Sequence, residues 1–239
     1  MHYCNLKTVY NNYRRHVPFG KHLLFYTFII LFGAVIGYLS EWLEYAIYDF
    51  NGLRDNALIV GLTMVFDNFS FWIFSATLIA YFSFNPYNAG SGSFLFLISM
   101  CTFYFIPKQM HYGYDTTLQF ATWGIVSLIS IIPAVIIWFS RGLSKLGIFI
   151  KGLPAAAILG EFAHTVYHCI DYYSPIPGMP AEPLKWLLQP ERITQLSIYL
   201  VLYISLLCLL TKGKKERILL CVISIPIGAI FALCFSLSI

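Results

Sequence analysis

Seven stretches of this chain are apolar over close to the ~20 residues that a helix needs to cross a bilayer. They lie at about 22–43, 58–83, 93–112, 117–139, 146–170, 194–211 and 218–238. Little else can be built from them. Only 11% of the 239 residues are charged and 59% are apolar, whereas a soluble domain carries about 25% charged residues. The chain cannot cover such a core with a water-facing surface. The expected fold is all-α: a polytopic transmembrane helical bundle of about seven spans. Residues 1–21 form a basic, aromatic segment ahead of it, and residues 22–239 form a single transmembrane domain. That first segment contains no acidic residue and runs into an apolar stretch without a convincing cleavage site, so it reads as a retained cytoplasmic arm.

The basic residues orient the bundle. With the N-terminus inside, Lys7, Arg14, Arg15, Lys21, Arg141, Lys145, Lys151, Lys212, Lys214, Lys215 and Arg217 are cytoplasmic. Only Arg54, Lys108, Lys185 and Arg192 fall outside. That asymmetry follows the positive-inside rule, and it favours seven spans with the C-terminus outside. Two spans are irregular on paper. The second holds Asp67 and Asn68, which predict a tilted or broken helix. The third is interrupted by Pro107 and Lys108 and is preceded by "YNAGSGS" (87–93), which reads as a short cytoplasmic Gly/Ser turn. Pro133, Pro154 and Pro226 predict kinks. Six scattered cysteines without a CxxC read as small buried hydrophobes.

Polar residues inside apolar runs cost roughly 2.5–3.5 kcal/mol each at a helix centre on insertion scales and usually face a cavity or a partner. The densest group is "GEFAHTVYHCIDYY", 160–173. At 100° per residue, Glu161, His164, His168 and Asp171 fall within an arc of about 80° and rise about 15 Å along the axis. If the fifth span leaves the membrane near residue 170, Glu161 lies ~13 Å below the outer boundary, close to the midplane. Asp67 reaches the same depth from the other end of its span. Glu161, His164 and Asp67 therefore form the expected intramembrane polar cluster. Glu44, His111, His168 and Asp171 are its possible extension towards the outer side, where Glu41, Asp49, Asp55 and Asp115 also gather. An outward-opening cavity lined by spans 1, 2 and 5 is the expectation, capped by the proline-rich segment 174–192.

Residues 70–105 resemble an uncharacterised bacterial family of multi-pass integral-membrane proteins. The residues that carry the likeness are Trp72, Tyr81, Phe82, Ser83, Pro86, Ala89, Phe94, Phe96, Met100 and Tyr104, over about 35 positions. The resemblance implies a bacterial plasma-membrane protein and brings no catalytic residues with it.

Three chemistries fit the polar cluster. A proton or cation relay would use Glu161, Asp67 and His164. A metal would sit on His164 and His168, the i, i+4 pair, with Asp67, Glu44 or His111 supplied by another helix. Intramembrane hydrolysis would need Glu161 as base, but the paired-glutamate motif E-E-x-x-x-R is absent. The competing structural reading leaves Glu161 hydrogen-bonded to Asp67 or His164, and His168 and Asp171 in headgroup water. The favoured function is a small-solute or ion transport or binding component with no cofactor. The alternatives are a membrane-embedded, metal-dependent enzyme and a non-catalytic partner or regulatory subunit. The expected partners are the lipid bilayer and a membrane protein or a second copy; the Gly33-x-x-x-Gly37 motif allows either dimerisation or, more often, close packing inside the chain. Nucleic acid is not among them.

Overall fold

The computed structural model describes residues 9–11, 17–49, 55–66, 68–113, 115–142, 145–171 and 187–237, with backbone alone at 49, 170–171 and 235–237. Among them the structure is 90% helix with no strand. In chain order the helices are α1 (Phe19–Asp49), α2 (Ala57–Phe66), α3 (Phe69–Phe82), α4 (Pro86–Tyr112) and α5 (Thr117–Ile129). α6 (Ile131–Phe139), α7 (Lys145–Asp171), α8 (Pro190–Leu210) and α9 (Lys214–Leu237) follow. Among the described residues six spans are long and apolar enough to cross a membrane, α5 and α6 counting as one, and α2 with α3 form a bent pair that makes a seventh where the two count as one span. Large apolar side chains stay exposed along them; on α1, Phe28, Leu31 and Val35 recur at helical spacing, each more than half exposed. Such a stripe suits lipid and not water.

Contacts divide the chain into two compact units. One comprises Met1–Tyr45 and Ser75–Lys151, the other Ala46–Phe74 and Gly152–Ile239. The first is organised by α1 against α4. Tyr26 Oη meets Ser91 Oγ at 2.8 Å, and Ser99 Oγ donates to the Ile30 carbonyl at 2.8 Å. Further along, a Cβ added to Gly33 would stand 2.5 Å from the Phe96 carbonyl oxygen, and one added to Gly37 would stand 2.2 Å from that of Met100. The GxxxG of α1 is therefore spent on close packing inside the chain, where small residues let two backbones meet. Contact positions advance together along both helices, so α1 and α4 run parallel. The chain that joins them must cross back once, and among the described residues α2–α3 is the only candidate span between them.

α4 corrects two expectations. The stretch 87–93 is not a turn; it is the first two turns of a 27-residue helix. Asn85 caps it by accepting the Asn88 amide at 2.8 Å, and Pro86 occupies the first turn, where its missing N–H leaves nothing unsatisfied. Gly90 and Gly92 are small because neighbouring side chains press on them, Ile131 on the first and Ile79 on the second. Nor does Lys108 interrupt the third span, because α4 runs through Pro107 to Tyr112. At 1.5 Å per residue it is ~40 Å long, enough for a full crossing. Among the other intrahelical prolines, Pro133 lies three residues beyond the break between α5 and α6 at Ser130, while α7 and α9 continue through Pro154 and Pro226.

In the second unit α2 packs on α8, and Gly61 lies against Thr194 and the Glu191 carbonyl. α7 crosses α9 where Gly160 meets Gly228: a Cβ on Gly160 would come 2.6 Å from Phe231 Cβ and 3.0 Å from the Gly228 carbonyl oxygen. This close crossing fixes the position of the next residue, Glu161.

Candidate functional site

The second unit holds Glu161, which is buried with 6% of its surface exposed. Its carboxylate accepts the Phe69 amide at 2.8 Å, the Ser70 amide at 2.7 Å and the Ser70 hydroxyl. Those are the first two amides of α3. A helix start leaves such N–H groups without intrahelical partners and carries a partial positive charge, so a carboxylate from α7 occupies the position an anion would take. The facing end of α2 is closed as well. Trp72 Nε1 donates to the Phe66 carbonyl at 2.9 Å, and Asn68 Nδ2 donates to the Met64 carbonyl at 2.7 Å. Asn68 Nδ2 also donates to Tyr199 Oη at 2.7 Å; that hydroxyl accepts Gln195 Nε2 at 3.0 Å, and Gln195 in turn accepts Arg192. The two halves of the span are bent by 62°, and each opened backbone group named here has a partner. Irregular backbone at membrane depth survives only when it is satisfied in this way.

The expected break at Asp67 and Asn68 thus falls where the residues placed it, but Asp67 itself lies outside the described residues. His164 is half-buried and His168 exposed on the same helix, their rings 6.0 Å apart at 66°. Asp171 ends α7, and its side chain lies outside the description. The hydrogen bonds of Glu161 go to the α3 terminus, and no bond from it to His164 is among them. No group of three metal-ligating side chains lies together among the described residues.

The first unit holds a second polar cluster, on one face of α1 and the last turns of α4. Glu44 receives Lys108 Nζ at 2.7 Å on both carboxylate oxygens and the Tyr104 hydroxyl at 2.7 Å. Glu41 is fully buried, and its Oε1 accepts His111 Nδ1 at 2.5 Å. Tyr45 stacks on the His111 ring at 4.4 Å, and Tyr112 meets Tyr45 edge-on at 6.1 Å. Glu41, Glu44 and Tyr45 are spaced i, i+3, i+4, as are Tyr104, Lys108, His111 and Tyr112 at i, i+4, i+7, i+8; two matched helical faces meet. Sequence reasoning placed Glu44 and His111 only at the margin of a cluster around Glu161, and left Glu41 and Lys108 out of it. The signal was present in those two spacings, hidden by reading Lys108 as a helix breaker.

Compared with known proteins, the chain matches no family model, no curated protein and no solved structure. Its multiple apolar helices mark it as a multi-pass membrane protein.

Proposed function

We propose that this chain is a small-solute or ion transport or binding component of a bacterial plasma membrane, with its N-terminus in the cytoplasm. The observation that carries the reading is the discontinuous α2–α3 span, whose opened ends are held by side chains of α7 and α8. Broken spans recur at substrate and ion sites near the midplane, and here Glu161 holds the place at the α3 terminus that an anion would take. A helix that only had to pack would gain nothing from the interruption. Outside that span, α1 and α4 hold the charged or titratable side chains Glu41, Glu44, Lys108 and His111, residue types that ion and proton pathways use.

The test is uptake into proteoliposomes. A panel of labelled cations, amino acids and small organic acids should give at least one solute that enters faster than into protein-free vesicles. Asn68→Ala, which removes the link from the break to Tyr199, should slow that uptake. If no member of the panel enters, and the chain instead purifies in stoichiometric complex with another membrane protein, the partner-subunit reading replaces this one.

A further inference from the structure

We propose that Glu41 and His111 form a proton-binding dyad, loaded from the water that reaches His111. Glu41 is fully buried, whereas the His111 side chain is 36% exposed. The dyad therefore joins a dry carboxylate to an exposed ring in the last turn of α4, at the end of the span where water is within reach. Nδ1 of His111 and Oε1 of Glu41 are 2.5 Å apart; an ionised carboxylate only accepts, so Nδ1 is the donor to it and Nε2 is left as the ring nitrogen that can take a further proton. The other oxygen, Glu41 Oε2, is buried and has no hydrogen-bond donor among the described residues.

Charge counting shows what that arrangement lacks. Glu44 and Lys108 neutralise each other at 2.7 Å. Tyr104, Tyr45 and Tyr112 face the cluster as uncharged rings, and Asp115, in the turn beyond α4, is exposed and bonded to Thr117. With a neutral imidazole, the Glu41–His111 pair bears one uncompensated negative charge in a buried site, which is costly. One proton from hydronium, added at Nε2, makes an imidazolium–carboxylate pair of zero net charge; its loss to water restores the first state. No other bond forms or breaks. The pair has two protonation states, a buried end and a wet end.

Proton binding itself does not depend on the transport reading, but its use as the coupling ion does. The test is an infrared pH titration of the purified protein in nanodiscs. The carboxylate and imidazole bands of wild type should change together with pH. Glu41→Gln should lose the carboxylate part of that change, and His111→Gln, at an exposed position that folds more readily, should lose the imidazole part. Difference spectra of Glu41→Gln and His111→Gln identical to wild type would overturn the dyad. If the titration behaves as expected while no solute enters proteoliposomes, the dyad stands and the transport reading fails. If uptake occurs with the same pH dependence in wild type and His111→Gln, the coupling role fails.

Discussion

At the scale of single residues, Glu41, Glu44 and Glu161 each accept a hydrogen bond, and from different chemistry. Glu161 accepts three donors at the start of α3. Glutamine there keeps the volume but offers one acceptor oxygen and turns an NH2 towards amide donors. Glu161→Gln is expected to cost about 1.5–3 kcal/mol, the range for hydrogen bonds to charged groups, and Ser70→Ala about 0.5–1.5 kcal/mol. Both are read from denaturant titration in detergent followed by circular dichroism. Near-additive losses in the double variant would argue against a shared network, because residues in one network couple. Glu161 could be singled out from its depth and cost alone. Its partners could not, since every residue carries a backbone N–H and the sequence gives no mark to those at 69 and 70. Asp67 and His164 stood out as partners because side chains are what a sequence displays; Asp67 lies outside the described residues.

At the scale of elements, helix ends and helix crossings decide the structure. α5 begins at Thr117, and Asp115 Oδ1 accepts the Thr117 amide at 2.8 Å. The Thr117 side chain and then its amide hold the Asp115 carboxyl below its usual range. A depressed carboxyl stabilises the first turn of α5 above the ordinary value of about 3.9, and that support is lost as pH falls through the lower folded value. An NMR titration of Asp115 should give a midpoint below that of the same residue in Thr117→Ala. The α1–α4 crossing is more demanding. At Gly37 the obstacle to a Cβ is Met100 backbone, which cannot swing aside. Gly37→Ala is expected to lose about 1–3 kcal/mol or more, while Gly20→Ala, with nothing within 4 Å, should be close to neutral by the same denaturant titration. The broken second span was legible because Asp67 and Asn68 are poor company for lipid. The start of α4 was not, since Gly-Ser-Gly has the composition of a turn and only the neighbours pressing on it reveal the reason for small residues.

For the molecule as a whole, the parallel run of α1 and α4 turns an ambiguous span count into an odd one. If α2 and α3 dipped into the membrane and returned, the chain could not begin α4 at the end where α1 begins. Three candidate spans, α5–α6, α7 and α8, lie between residues 115 and 213, and the proposed topology expects Asp115 outside and Gly213 in the cytoplasm. In a background lacking the native cysteines, Asp115→Cys should react with a membrane-impermeant maleimide from outside. Gly213→Cys, where nothing lies within 4 Å of an added Cβ, should react only after permeabilisation. Labelling of both from one side would refute the topology. The long apolar spans were readable from hydropathy, because bilayer thickness acts on composition. The pairing of α1 with α4 was not, for it depends on which glycines and hydroxyls of distant segments meet.

The clasp of Glu161 on the α3 terminus also sets an order of events during synthesis. Residues 69 and 70 are made some ninety residues before their carboxylate, a delay of roughly 5–20 s at about 5–20 residues per second. Until α7 enters the bilayer, the broken span has two amides and a hydroxyl that lipid cannot satisfy. The nascent second span must therefore wait beside water or the insertion machinery, and its final shape is settled only when the fifth span arrives.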